Sequence, residues 1–402
     1  MNLVELIEEA RRRLKGVVHE SPLVYSTSFS RMFGVEVYLK LENLQKTGSF
    51  KVRGAYNRIS LLTEEEKARG VVAASSGNHA QGVAWAAGLL GVRATIVMPE
   101  TTPIVKYMAT KGYGAEVILH GRTFTDACQK AKELVRTRGL TFIHPFDDEL
   151  IIAGQGTIGV EILSALPDAD CVVVPVGGGG LISGIATWIK THKKDVKIVG
   201  VESVLSPSLT EALKHHRPVA VTTHPSIADG INIKKVGERT LPLIERYVDC
   251  ATTVQEETIA EAIVKLMERK KLVVEGAGAT GIAALMEQKI PLDGVRKLVV
   301  LLSGGNIDVT TLDRILRKGL VKEGRVCSIA TIIDDVPGSL AGLTSVVAEL
   351  RANILHILHH RDAVDVPVGR TKVELILEVS DRDHAERIKK RLLELGYGLT
   401  QD

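Results

Sequence analysis

Apolar residues along this chain recur in two rhythms, and the change from one to the other divides it. At the N-terminus Leu3, Leu6, Ile7, Ala10 and Leu14 fall at helical spacing, with Glu5, Glu8, Glu9 and Arg11 to Arg13 on the other face. That pattern predicts an amphipathic helix within Met1 to Lys15. Short β-branched runs then alternate with helical patterns. Val71–Ala74 reads as a strand, Gln81–Leu90 as a helix and Ala94–Met98 as a strand. Further on, strand Cys171–Val176, helix Leu181–Lys190 and strand Lys197–Val201 follow, and Lys297–Leu302 is one more buried strand. Strands that are apolar throughout and separated by helices predict parallel sheets covered on both faces, an α/β class.

The alternation stops at Arg317–Gly324, a basic, Gly-containing stretch that reads as a linker over residues 317–324. Beyond it the expected elements are strand Arg325–Ile333, helix Gly338–Leu350 opened by Pro337, strands Ile354–His360 and Lys372–Val379, helix His384–Leu395 and a short strand near Gly398–Gln401. This is a ferredoxin-like βαββαβ unit over residues 325–402. An RNA-recognition module of that topology stacks bases on aromatic strand residues, which are missing here. A small-ligand or dimerisation module fits better.

At 402 residues, two or three compact units are expected. Net charge is +3, from 51 basic and 48 acidic residues, so nothing electrostatic points to a nucleic-acid partner. No basic start followed by an apolar core marks a signal peptide, and no apolar run approaches the roughly 20 residues a bilayer needs. Cys128, Cys171, Cys250 and Cys327 lie far apart with no CxxC, which predicts reduced, packed thiols and a cytoplasmic protein.

Glycine-rich turns sit where strands end, the place where open α/β sheets hold ligands. Gly177-Gly178-Gly179-Gly180 joins a buried strand to a helix. Side-chain-free residues there let backbone N–H groups converge on an anion at a helix N-terminus, so phosphate binding is expected. The turn lacks both the Lys-Ser/Thr ending of a P-loop and the third glycine of GxGxxG. A full GxGxxG does occur at Gly276–Gly281, but the following strand ends in Ser303 rather than an acid that could hold a ribose. Close helix packing explains it better than a dinucleotide. Ser75-Ser76-Gly77-Asn78-His79 opens a helix and fits two readings equally, helix capping or a pocket for a carboxylate. Lys51 follows a Thr47-Gly48-Ser49 turn and Phe50 and opens a helical pattern, an unusual place for a solvated lysine. A buried lysine of lowered pKa can form a Schiff base with an aldehyde cofactor.

Ser49-Phe50-Lys51-x-Arg53-Gly54-Ala55, Ser75–His79, Gly177–Gly180 and Ser303-Gly304-Gly305-Asn306, in that order, resemble threonine dehydratase (threonine ammonia-lyase). That family has the fold-type II pyridoxal-phosphate, or tryptophan-synthase β-like, two-domain fold. The resemblance covers residues 1–320, with a smaller subdomain over 46–149. It implies that Lys51 carries pyridoxal 5'-phosphate, Phe50 flanks the ring, and Asn78 bonds the ring hydroxyl. It further implies Gly177, Gly178, Gly179 and Gly180 on the phosphate, Ser303 at the pyridine nitrogen, and Ser75, Ser76, Gly77, Asn78 and His79 on the substrate carboxylate. Glu202, with Ser206 and Ser208, resembles the monovalent- or divalent-cation site of related dehydratases and racemases, although a Glu at a strand end is also an ordinary capping residue.

The implied reaction is loss of water and ammonia from threonine, with serine a second substrate. A neutral Ser303 disfavours a long-lived carbanion and so favours elimination over racemisation. Within the fold, cysteine synthases differ by having Thr where this chain has His79. Serine racemase is a nearer alternative, because Ser76 stands where that family's second acid–base residue does. A non-catalytic amino-acid sensor is disfavoured by the complete residue set. The C-terminal unit resembles an ACT domain through Asp335-Val336-Pro337-Gly338-Ser339-Leu340. It implies a homo-oligomer, dimer or tetramer, with an amino-acid effector near Pro337, Gly338, Ser339, Leu340 and Asn353.

Overall fold

A computed structural model describes residues 2–361 and 366–400. The chain forms two units, Met1–Val309 and Thr310–Asp402. The first opens with helix Leu3–Leu14. A capping box between Asn2 and Glu5 satisfies its free N–H groups, and Ile7, Ala10 and Leu14 are its buried stripe.

Two sheets build this unit. The larger has the order Leu23–Tyr25, Glu36–Leu41, Lys297–Leu302, Cys171–Pro175, Lys197–Ser203, Cys250–Val254. All pairs are parallel except the first. The smaller, entirely parallel, has the order Glu116–Leu119, Ala94–Met98, Val71–Ala74, Thr141–Phe142. Cys171–Pro175 and Val71–Ala74 are buried along their whole length, as strands covered by helices on both faces must be. The helix Gly276–Met286 over GxGxxG is a packing helix. A Cβ at Gly276 would run onto the Ile227 carbonyl, and one at Gly281 would lie 2.6 Å from Val300 Cγ1.

The second unit contains strand Val326–Asp334, helix Ser339–Glu349, strands Asn353–His360 and Arg370–Glu378, helix Arg382–Glu394 and strand Leu399–Thr400. This is the βαββαβ order, folded as one antiparallel sheet over its own core of Leu343, Val347, Val373, Leu375, Leu377 and Ile388. Gln401, expected in the last strand, lies outside the described residues. The stretch expected as a linker at 317–324 is largely helical. Helix Val309–Lys322 runs through most of it, because Ile315 and its neighbours continue an amphipathic helical repeat, and the chain turns only at Gly324, with φ +71°. Gly338, with φ +96°, precedes the helix Ser339–Glu349. Asn353 Nδ2 donates to Glu378 Oε2 at 3.2 Å, so that amide braces two strands. Among the described residues, no helix is long and apolar enough to cross a membrane.

Candidate active site

Three turns at the C-terminal ends of parallel strands meet around one cavity of about 630 Å³ in the first unit. Ser75–His79 follows Val71–Ala74, Gly177–Gly180 follows Cys171–Pro175, and Ser303 follows Lys297–Leu302. Phe50 and Lys51 complete the wall. The structure therefore brings together every residue assigned to the cofactor and the substrate carboxylate. Glu202, Ser206 and Ser208 do not line this cavity.

Lys51 is the first residue of helix Lys51–Ser60. Its Nζ donates to the Pro145 carbonyl at 2.9 Å. Burial pushes its pKa down to about 8, with the charge of Glu275 acting in the opposite direction. Arg53, 1% exposed, anchors the start of this helix. It makes a bidentate pair with Glu42, at 2.9 Å from Nε and 2.7 Å from Nη2, and a second pair with Glu161. A buried fork held at that many points leaves the first helical turn, and Lys51 with it, little freedom.

In the second turn Ser75 Oγ accepts from the Gly77 N–H at 3.2 Å, shaping the chain before helix Asn78–Leu89. The His79 imidazole is committed elsewhere. It is buried, its Nε2 pairs with the Ile143 carbonyl at 2.9 Å, and burial first, then the charge of Lys51, push its pKa down to about 3. A neutral ring bonded to a carbonyl offers no charge to a carboxylate, so its contribution to an anion pocket is the backbone at the helix start.

Gly177, Gly178 and Gly179 have N–H groups that no acceptor among the described residues takes. The run must be glycine for a further reason. Cβ atoms at Gly178 and Gly180 would overlap Phe146, and Gly179 has φ +93°. Phe146 thus closes the loop from one side and leaves its donors facing the cavity.

Glu202 has other work. Its Oε1 accepts from Leu209 N at 2.6 Å and Ser208 Oγ at 3.4 Å, and its Oε2 from Thr210 N at 2.9 Å and Thr210 Oγ1 at 3.0 Å. Its carboxylate thus takes N–H groups from the first turn of helix Ser208–His215, whose N-cap position is Pro207. Burial pushes its pKa up to about 7 against those hydrogen bonds. Among the described residues no group of three His, Cys, Asp or Glu side chains is disposed to hold a metal ion. Of the expected cation ligands, Glu202 and Ser208 bond to each other and the turn after Ser203 brings helix N–H groups onto the Glu202 carboxylate, whereas the buried Ser206 Oγ has no hydrogen-bond partner.

Sequence reasoning passed over several lining residues. Glu275 is 4% exposed, and its pKa is pushed up to about 7 by burial and by Asp229. It accepts from Asn78 Nδ2 at 2.7 Å. Asn306, within a motif already noted, donates to Asn78 Oδ1 at 2.7 Å. Lys106, on helix Ile104–Gly112, pairs with Asp229. The position of Glu275, just before a small-residue helix, was the available signal.

Pyridoxal 5'-phosphate fits these residues. An aldehyde requires an amine that can be neutral, which Lys51 provides. A phosphate requires unpaired N–H donors, which Gly177–Gly179 provide. Ser303, buried, places a neutral hydroxyl-bearing residue on the wall of the same cavity.

Residues 14–304 match the family model described as pyridoxal-phosphate dependent enzyme. An L-threonine ammonia-lyase of Thermotoga maritima is 51% identical over 397 residues, 99% of this chain and 98% of that protein. An L-threonine ammonia-lyase of Geobacter sulfurreducens is 47% identical, over 98% of this chain and 97% of its own. Among solved structures, the processed form of threonine deaminase isoform 2 from Solanum lycopersicum superposes with a TM-score of 0.74 at 39% identity, covering 78% of this chain and 87% of that one. With the cavity built as such a cofactor requires and the family's sequence pattern running through nearly all of the first unit, this chain belongs to the pyridoxal-phosphate dependent enzymes.

Proposed function

We propose that the protein is a threonine ammonia-lyase, converting L-threonine to 2-oxobutanoate and ammonia and acting also on L-serine. The observation that carries this reading is the juxtaposition, in one cavity, of a Lys51 amine with lowered pKa, the unpaired glycine N–H groups and Ser303. Similarity over nearly the whole length to two threonine ammonia-lyases supports the substrate.

When bound, pyridoxal phosphate supplies an aldehyde that captures the substrate amine and a ring that draws electron density from Cα. Lys51 holds that aldehyde in the resting enzyme. Released from that aldehyde, Lys51 Nζ would be the base placed to remove the Cα proton. The backbone of Ser75–His79 receives the substrate carboxylate, and Ser76 stands in the same turn as a second proton-handling group. Gly177–Gly180 anchor the phosphate, and Asn78 meets the ring hydroxyl. An uncharged Ser303 beside the pyridine nitrogen would offer it no counter-charge, which would disfavour a long-lived carbanion and favour loss of the β-hydroxyl over reprotonation at Cα. Water then converts the released enamine to the ketoacid and ammonia.

Residues 325–402 are read as an ACT-type regulatory unit that takes an amino acid, isoleucine or valine, near Pro337–Leu340 and Asn353. The βαββαβ order and the exposed Val336 beside Gly338 support this reading. Such control suits either the first committed step of isoleucine synthesis or a catabolic threonine dehydratase. The test of the chemistry is Lys51→Ala. The wild-type protein is expected to be yellow, to lose its visible absorbance on borohydride reduction, and to form 2-oxobutanoate from threonine. The variant is expected to do none of these, and ketoacid production surviving in it would overturn the assignment.

A further inference from the structure

Glu275 occupies the N-cap position of helix Gly276–Met286, where a carboxylate ordinarily accepts from the first free N–H groups of its own helix. Its side chain makes no such bond and turns into the cavity instead. Its backbone N–H donates to the Gly304 carbonyl at 3.0 Å. Glycines leave room for the carboxylate: a Cβ at Gly304 would fall on Oε1, and one at Gly230 would lie 3.5 Å from it.

A directed chain of hydrogen bonds runs from this carboxylate. Asn306 Nδ2 donates to the Thr47 carbonyl and to Asn78 Oδ1, each at 2.7 Å. Asn78 Nδ2 donates to Glu275 Oε1 at 2.7 Å. A backbone carbonyl can only accept, so Asn306 must turn its nitrogen inward; Asn78 must then face Asn306 with its oxygen and Glu275 with its nitrogen. Either flip would set two acceptors against each other. One Nδ2 hydrogen of Asn78 is committed to Glu275, and the second remains.

We propose that Glu275 is a positioning residue, which with Asn306 locks the Asn78 amide so that its second N–H is held ready for the ring hydroxyl of the cofactor. This rests on the role proposed above for Asn78. The charged groups facing Glu275 are Asp229, Lys106 and Lys51. Burial and Asp229 bring its pKa to about 7, and the carboxyl offers Asn78 an accepting oxygen whether or not it carries a proton.

The experiment compares the full-length, cofactor-loaded protein with Glu275→Ala, Glu275→Gln, Asn306→Ala and Asn78→Ala. It reads the visible absorption band across pH and the equilibrium dissociation of pyridoxal phosphate. Glu275→Ala is expected to shift the band and weaken cofactor retention about tenfold, the scale of one hydrogen bond to a charged group. Glu275→Gln, which keeps an accepting oxygen but cannot titrate, is expected to hold the wild-type band with no change through pH 7. Asn306→Ala should reproduce the shift without touching the carboxylate, which keeps the test decisive if Glu275→Ala does not fold. A shift in Asn78→Ala with none in Glu275→Ala or Asn306→Ala would overturn the positioning role alone. Equal damage from Glu275→Gln and Glu275→Ala would also overturn it, in favour of charge. No shift in Asn78→Ala would instead overturn the role of Asn78 itself.

Discussion

An ordinary lysine is an ammonium at neutral pH, and an ammonium cannot attack an aldehyde. Burial at the head of its helix brings Lys51 to about 8, so each pH unit below that removes about tenfold of its reactive form. The rate at which cofactor-free protein takes up pyridoxal phosphate is therefore expected to climb with pH up to about 8 and then level off, followed by stopped-flow absorbance. A rise continuing toward the ordinary lysine range would show an unperturbed amine. Asn78 and Ser303 were legible as cavity-lining residues because each stands in a short motif at a strand end, and Lys51 because it follows a glycine-containing turn and opens a helix. Glu275 was not: it precedes glycines fully explained by helix packing, and only the fold carries Asn78 to it across the chain. The turning away of the His79 ring was equally hidden, since its partner is a carbonyl at Ile143.

At the level of elements, the helices Glu149–Ala165 and Gly180–His192 approach closely enough that backbone meets backbone. A Cβ at Gly184 would lie 2.6 Å from Gly156 N, and both helices are largely buried and pack against helix Leu3–Leu14. Gly184→Ala is expected to cost about 1–3 kcal/mol, as overpacking of a filled core does, measured by urea denaturation. Because Gly184 shares its helix with the glycine loop proposed to hold the phosphate, cofactor retention should weaken with it. Unchanged stability would mean the helices can part. Continuous apolar runs made the central strands readable. Glu36–Leu41 was missed because it carries Lys40, which is 1% exposed and satisfied by Glu161 and by the Ser21 carbonyl at 2.6 Å. No local rule expects a buried ammonium in a strand; its carboxylate partner comes from a distant helix.

For the molecule as a whole, the second unit has its own hydrophobic core, so an effector bound there can stabilise it by mass action. Isoleucine at about a hundred times its Kd would add about 2.7 kcal/mol, seen as a raised thermal midpoint, and would change the rate of threonine deamination. Both readouts unmoved by isoleucine or valine would remove the regulatory reading. The βαββαβ order was readable from the changed rhythm of apolar positions, whereas the boundary fell earlier than expected, at Val309, because the basic stretch is one face of a helix.

The pairing of Glu36–Leu41 with Lys297–Leu302 has a consequence for the birth of this protein. During synthesis the early strand emerges with one lateral edge bare, and its parallel neighbour is still uncoded chain. At ribosomal speeds of about 5–20 residues per second, the wait is on the order of tens of seconds. The strands between Val71 and Phe142 can pair among themselves in the meantime, since all four leave the ribosome together. The nascent chain thus has a small sheet able to pair and a large one still open, with residues 36–41 presenting an unpaired edge that can join another chain.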